Sequence, residues 1–274
     1  MRTHSSILKK SRKSRTHKKF KKRSVIGVAV LVVCILLVIF FAWLSTQERF
    51  LIKSVNIEGN NIVNRGEVLS TVQKNISGKY YFLFSKNNIL LYPKSEIKDI
   101  LFKKFKRIKS IDIKRKKTNN LNVYINEYLP KYLLCSKEPL VNTEDIKSNC
   151  YYLDKEGYIY AKAPSFSDNV FFKWNVKNIN EINIGEFVLN KNEFNKLVTL
   201  KQIIDGIGLS PTGINGMDDG DFAFMLDGGG KILFNIKQDS TRLVDTLDSV
   251  LGDIKKDKKF EYIDLRFGDK VFYK

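Results

Sequence analysis

The chain has 274 residues with 48 Lys and Arg against 29 Asp and Glu, which gives a formal net charge of +19. Eleven of the basic residues lie before residue 24, ahead of the first acidic residue, Glu48. Once those eleven are subtracted from 48, the rest of the chain holds 37 basic and 29 acidic residues, an excess too small to predict a strong polyanion-binding domain. Both histidines, His4 and His17, also lie in this basic segment. The rest of the chain therefore cannot hold a Ser-His or Cys-His catalytic pair, and we expect no catalytic site, no metal and no cofactor.

Residues 25–44 form one uninterrupted apolar segment. Twenty helical residues at about 1.5 Å each span about 30 Å, the thickness of the hydrocarbon core of a bilayer. A cleaved signal peptide, which is the alternative, has a shorter apolar core of about 7 to 15 residues and ends in small residues. This segment instead ends in large residues that include Phe40, Phe41 and Trp43. We therefore predict a single transmembrane helix at residues 25–44.

The basic segment predicts the orientation of this anchor. Positive charge beside a span stays in the cytoplasm, so residues 1–24 should form a cytoplasmic tail and the residues from about Ser45 onward should be extracytoplasmic. The tail also suits the anionic lipids of the inner leaflet, at about 1 kcal/mol for each basic residue near the surface. A nucleic-acid-binding arm is the alternative for such a segment. We favour the lipid contact and expect no specific nucleic acid.

The three cysteines lie in two different settings. Cys34 falls inside the predicted span, whereas Cys135 and Cys150 fall on the side that the orientation makes oxidising. A disulfide between the latter two would stabilise the fold by about 3 kcal/mol on the chain-entropy model. Two free thiols are the alternative, because sequence spacing does not show that the two Cα atoms come close enough.

The first module after the anchor, residues 50–128, shows the order strand, helix, helix, strand, strand. Residues 53–58 alternate polar and apolar side chains, which is typical of a strand. Asn64 with Glu67 three positions later resembles a capping box and predicts a helix start. Pro93 opens a second helical segment. Two further alternating segments follow, separated by Asn119 and Asn120, which predicts a hairpin.

The second module, residues 129–274, has the pattern of a mixed sheet with helices, so the fold class is α+β. Gly157 is placed to turn between two strands within residues 151–160, and apolar residues at helical spacing predict helices around Phe194 and Leu243. Residues 264–274 are short and mix aromatic with charged side chains. A last strand at a sheet edge offers unpaired N–H and C=O groups that a partner strand can complete. The alternative is a strand that pairs on both sides within the chain or frays.

Four segments in this order resemble one family. The first strand matches the pattern I-x-x-V-x-V-x-G-N at Ile52, Val55, Ile57, Gly59 and Asn60. Residues 126–130 resemble a strand that ends in an acid and a proline, residues 151–160 resemble a Y-x-x-D-x-x-G hairpin, and residues 262–267 resemble a terminal Y-I-D-L-R-F/Y strand. The chain is thus similar to the FtsQ/DivIB bacterial cell-division proteins. The resemblance implies a POTRA domain at residues 50–128 and an FtsQ/DivIB-type β domain at residues 129–274.

The resemblance also implies a function. It is that of a non-catalytic bitopic scaffold of the divisome, which links membrane division proteins at the septum and helps control septal cell-wall synthesis. The implied partners are coiled-coil proteins of the FtsB/DivIC and FtsL type, together with septal peptidoglycan synthesis proteins. In the family the end of the β domain contacts the coiled-coil partners, which here implies a C-terminal binding strand with Arg266, Phe267, Lys270, Val271, Phe272 and Tyr273.

Two other functions compete with the scaffold. A POTRA-bearing transport or membrane-assembly factor ends in a membrane β-barrel, and residues 129–274 are too few and too rich in helical pattern for one. An anchored extracytoplasmic enzyme is the second rival, and the position of both histidines disfavours it.

Overall fold

The computed structural model describes residues 14–116, 119–136, 150–164, 166, 170–176, 183–253, 260–268 and 270–274. Most of the basic tail predicted at residues 1–24 lies outside them. The chain forms two compact units. Unit 1 contains the residues up to Leu101 together with Ile111–Ile125, and unit 2 contains Phe102–Ser110 together with Asn126–Lys274.

The helices are α1 (Ser14–Ser45), α2 (Arg65–Ile76), α3 (Lys94–Lys104), α4 (Lys191–Gly206) and α5 (Ser240–Asp253). The strands are β1 (Ser54–Glu58), β2 (Lys79–Tyr80), β3 (Phe84–Ser85), β4 (Ile108–Lys116), β5 (Asn120–Glu127), β6 (Tyr132–Ser136), β7 (Cys150–Leu153), β8 (Ile159–Lys162), β9 (Phe172–Val176), β10 (Pro211–Gly216), β11 (Asp221–Leu226), β12 (Lys231–Asn235), β13 (Tyr262–Phe267) and β14 (Lys270–Tyr273). The predicted fold class, α+β, is confirmed.

Helix α1 carries the apolar segment. Within it, Ser24–Ser45 is long and apolar enough to cross a membrane, and nearly all of its side chains are exposed. The core helix of a soluble protein would bury such side chains, whereas a helix that is apolar on every side needs an apolar surrounding. The helix itself begins at Ser14, earlier than the predicted span, because the preceding Lys and Arg residues are also good helix formers.

Unit 1 has a three-stranded sheet in the order β1, β5, β4, in which β1 and β5 are parallel. Helix α2 begins where the sequence predicts, since the side chain of Asn64 accepts hydrogen bonds from the backbone N–H groups of Gly66 and Glu67 at 2.8 and 3.2 Å. Its residues Val68 and Val72 are completely buried. A small hairpin of β2 and β3 lies between α2 and α3 and was not predicted.

Unit 2 has a nine-stranded mixed sheet in the order β14, β13, β12, β11, β10, β9, β6, β7, β8. Helices α4 and α5 pack on each other, and they contact β10 and β13 respectively. The core is rich in aromatic rings, and the ring of Trp174 stacks on that of Phe194 at 4.7 Å between centroids. Of these strands, β6, β9 and β10 were not predicted. Strand β14 lies at one end of the sheet.

The turn between β7 and β8 explains one predicted motif. Gly157 has φ of 82°, and a Cβ atom there would lie 2.7 Å from the ring of Phe194, so glycine is required. The buried carboxylate of Asp154 accepts hydrogen bonds from the backbone N–H groups of Glu156 and Tyr158 at 2.9 and 2.8 Å. The spacing of the aspartate and the glycine is therefore set by the turn.

Candidate functional site

The open side of β14 is the main candidate binding surface. The strand pairs antiparallel with β13 on one side, and in the described part of the chain no strand pairs with its other side. The backbone N–H of Lys274 donates to the C=O of Tyr262 at 3.1 Å, and Phe272 lies opposite Asp264. The register shift in this pair adds one residue to β13 between Asp264 and Phe267 and leaves β14 regular. Because hydrogen-bonded and non-hydrogen-bonded positions alternate along β14, the N–H and C=O groups of Val271 and Tyr273 point to the open side.

Two aromatic rings lie beside these backbone groups. The rings of Phe267 and Phe272 meet edge to face with 5.4 Å between centroids, and their side chains are 57% and 49% exposed. Val271, by contrast, packs against the core of unit 2. The strand is thus fixed by one side chain and leaves an aromatic pair in solvent, where a partner could bury it.

Arg266 is held from within unit 2. Its guanidinium donates to both carboxylate oxygens of Asp264, at 2.9 and 2.6 Å, and to the carboxylate of Asp221 on β11 at 2.9 Å. It also lies over the ring of Phe267, 5.6 Å from the centroid. These contacts hold the guanidinium within unit 2, beside the ring of Phe267. The sequence did not predict the pairing of Arg266 with Asp221.

The carboxyl of Asp264 responds to two opposing influences. Its burial raises the pKa, but the hydrogen bonds from Arg266 outweigh this and hold the pKa of Asp264 below its usual value. The aspartate is therefore charged at neutral pH. Arg266, paired with Asp264 on the same strand, joins β13 to β11 across β12 through its contact with Asp221.

The remaining predicted binding residues have simple positions. Lys270 begins β14 and is exposed, and Tyr273 near its end is also exposed. The ammonium of Lys274 lies 3.0 Å from the carboxylate of Glu261, and both side chains are mostly solvated. Such an exposed pair contributes little to stability.

Cys135 and Cys150 face each other across β6 and β7 and are bonded in the structure, with an S–S distance of 2.01 Å. Their Cα atoms are 4.2 Å apart. Cys34 is free and lies on the exposed surface of α1. Among the described residues no group of three or more His, Cys, Asp or Glu side chains is arranged to hold a metal ion.

A second exposed apolar surface lies in unit 1, where the end of α1 meets the β2–β3 hairpin, and sequence reasoning did not identify it. The aromatic run at residues 80–84 was its only sequence signal.

Comparison with known proteins finds no matching family model and no similar curated protein.

Proposed function

We propose that this protein is a membrane-anchored, non-catalytic binding protein that docks a partner on the open side of β14. The observation that carries the proposal is the outward-facing backbone of Val271 and Tyr273 next to the exposed pair of Phe267 and Phe272. A partner strand added here would gain backbone hydrogen bonds, and the aromatic pair would supply the anchor.

The anchor in this proposal is the stretch Ser24–Ser45 of α1, whose large apolar side chains are almost all exposed. The basic residues before it favour a cytoplasmic N-terminus, which places units 1 and 2 outside the cytoplasm. Anionic lipids of the inner leaflet are the proposed contact of the basic tail. A reporter active only outside the cytoplasm, fused after Lys274, should be active. If only a cytoplasmic reporter works at this site, the proposed orientation is wrong.

The proposed partners follow from the resemblance to the FtsQ/DivIB family. Unit 1 has the element order expected of a POTRA domain with an added hairpin, and the motif Y-I-D-L-R-F lies on β13 beside the open strand. The partners would be small single-span coiled-coil proteins of the FtsB/DivIC and FtsL type, at the division septum. Through them the protein would act on septal peptidoglycan synthesis.

A proline substitution tests the role of the open backbone. Val271→Pro removes an N–H that points away from β13, so the internal ladder stays intact and proline is tolerated at an edge. We expect it to abolish capture of the coiled-coil partners by the full chain from crosslinked membranes. The matched control Val271→Ala removes most of the same side chain, keeps the N–H and should retain capture. Equal capture by both variants would reject strand addition.

Photo-crosslinking tests the location independently. A benzophenone amino acid at Phe272 should crosslink to the coiled-coil partners, whereas the same group at Phe187, an exposed phenylalanine elsewhere in unit 2, should not. Crosslinking from position 187 alone would move the interface away from β14. Recovery of a secretion substrate from position 272 would favour the transport rival.

A further inference from the structure

The hairpin of β2 and β3 has an unusual turn. The backbone N–H of Leu83 donates to the C=O of Tyr80 at 2.9 Å, so Tyr81 and Phe82 are the two central residues. Their φ values are 46° and 61°. Hairpin turns with positive φ at both central positions favour Asn-Gly or Gly-Gly, because a Cβ atom is crowded in the left-handed region. Two aromatic residues are therefore held in an unfavourable backbone conformation.

The fold does not shelter these two side chains. Tyr81 is 88% exposed and Phe82 is 94% exposed. Unfavourable backbone conformations that persist in a fold point to a role outside the local packing. In the described part of the chain, side-chain packing therefore does not account for the unfavourable turn.

The base of the hairpin is fixed to the end of α1. The backbone N–H of Ser85 donates to the hydroxyl of Ser45 at 3.2 Å, and the amide of Asn88 donates to the C=O of Ser45 at 2.9 Å. Ser45 and Ala42, one turn earlier on the helix, are both buried. These contacts therefore fix the position of the hairpin along the axis of α1.

A groove of about 690 Å³ lies between the hairpin and the helix end. Its lining is almost entirely apolar and includes Phe41, Leu44, Tyr80, Tyr81, Leu90 and Leu91, with Ser45 and Asn88 as the polar residues. Phe41 precedes Ser45 by four residues, which is about 6 Å along a helix. The hairpin therefore reaches back alongside the apolar part of α1, beside side chains that a bilayer would surround.

We propose that the hairpin tip, with Leu90 and Leu91, inserts into the interfacial layer of the leaflet in which α1 ends. This inference rests on the proposed membrane anchoring. The lipid surface is the occupant that the structure favours, because the groove is continuous with the exposed apolar face of α1. Lys79 and Lys86 flank the aromatic tip, and the ammonium of Lys86 lies over the ring of Tyr80, 5.2 Å from its centroid. Lysine side chains at such a position extend their charges toward lipid phosphates.

The consequence of this insertion is a second contact between unit 1 and the membrane. A single helix lets the attached unit tilt and rotate, whereas a helix with an inserted loop beside it restricts both. Tyr and Trp rings are enriched at the depth of the lipid headgroups, and Trp43 lies on α1 at the same level as the groove residues Phe41 and Leu44. The inserted hairpin thus fixes the orientation of unit 1 relative to the membrane surface.

Spin labelling of the full chain in lipid nanodiscs tests the proposal. A nitroxide on Phe82→Cys, in a Cys34→Ala background that retains the disulfide, should collide readily with oxygen and poorly with a water-soluble nickel complex. Tyr81→Cys provides a second labelled position. The matched control is Ile62→Cys, another apolar residue of unit 1 that is 69% exposed. We expect several-fold less collision with nickel at position 82 than at position 62.

A label on the native Cys34 separates this inference from the anchoring itself, because Cys34 lies within Ser24–Ser45. If Cys34 lies in lipid while positions 81 and 82 collide with nickel as freely as position 62, the insertion is wrong and the anchor stands. If Cys34 is also in water, the anchor fails. A label at position 82 that is shielded from both oxygen and nickel would show that protein and not lipid covers the tip, and this would also overturn the lipid contact.

Discussion

The β2–β3 hairpin of unit 1 and the β11–β12 hairpin of unit 2 each contain two consecutive turn residues with positive φ. The two hairpins differ in the size of the side chains at these positions. In the β11–β12 hairpin these residues are Gly228 and Gly229, with φ of 92° and 104°. In the β2–β3 hairpin they are Tyr81 and Phe82. Glycine takes this conformation without steric penalty, whereas other L-residues lose roughly 1–2 kcal/mol each.

The difference indicates that the residues of the glycine turn serve the backbone conformation alone. The glycine turn joins two strands in the middle of the nine-stranded sheet, and a Cβ atom added at Gly228 or Gly229 would meet nothing within 4 Å. Larger side chains would fit there, so the glycines serve the backbone. At the aromatic turn the backbone is the unfavourable part, and the side chains are the reason to retain it.

Placing the aromatic pair in the glycine turn should give the largest effect. The double variant Gly228→Tyr with Gly229→Phe should lower the free energy of unfolding of unit 2 by about 2–4 kcal/mol, because the two residues enter the left-handed region with no compensating contact. Fluorescence of the buried Trp174, in full-length protein with Trp43→Phe, reports this unfolding. Unchanged stability would show that left-handed turns tolerate aromatic residues in this fold, and the comparison would fail.

A third pair of neighbouring strands, β6 and β7, is joined by a disulfide bond. Breaking the bond between Cys135 and Cys150 by substituting both with Ala should destabilise unit 2 by about 3 kcal/mol, since the unfolded chain regains the entropy of the open loop. Cys34→Ala is the control and should leave the stability of unit 2 unchanged. Protein taken from its native membrane with two alkylatable thiols at positions 135 and 150 would contradict the bond.

Acid should weaken unit 2 through Asp264 and leave the β2–β3 hairpin intact, because none of the described ion pairs involves that hairpin. The pKa of Asp264 is lowered in the fold, so its contribution is complete above the unfolded value of about 3.9 and is lost as the pH falls through the folded value. Arg266→Gln should destabilise unit 2 by about 1.5–3 kcal/mol at pH 7. It should also remove most of this acid dependence, as measured by Trp174 fluorescence against pH. Equal acid slopes in both proteins would assign the effect to other groups.

Much of the architecture could be predicted because its signals are local. Asn64 caps α2, Pro93 precedes α3, and Gly157 turns between β7 and β8 as the sequence indicated. The β2–β3 hairpin could not be predicted, since its strands have two residues each and its turn has neither Gly nor Asn. By sequence pattern, the aromatic run at residues 80–84 cannot be distinguished from any other short apolar segment.

The candidate binding site was predictable in part. The mixed composition of residues 264–274 indicated an edge strand, and the structure has β14 at the end of the sheet. The internal pairing of Arg266 with Asp221 joins residues 45 positions apart, and no local pattern records such a contact. The direction of the backbone groups of Val271 likewise depends on the register with β13, which only the structure gives.

Restoring ordinary turn residues should stabilise unit 1. Tyr81→Asn with Phe82→Gly relieves the left-handed strain, and after the greater unfolded-state entropy of glycine is subtracted we expect a gain of about 1–2 kcal/mol. Hydrogen exchange of the β1 and β5 amides in the full chain measures this gain. A loss of stability would mean that the aromatic side chains support the fold after all.

Truncating the rings without relieving the turn should have the smallest effect on stability. Tyr81→Ala with Phe82→Ala keeps a Cβ atom at both positions, so the backbone strain remains, and the side chains removed are almost fully exposed. Stability by hydrogen exchange should therefore change by less than about 0.5 kcal/mol, as for other surface substitutions. The same variant should still weaken the membrane contact. The measurement is a label on Leu90→Cys in nanodiscs, which should collide more often with the nickel complex once the rings are gone. A destabilisation above about 1 kcal/mol, with no change at position 90, would show that the rings act within the fold, and that the two hairpins differ in packing and not in what surrounds them.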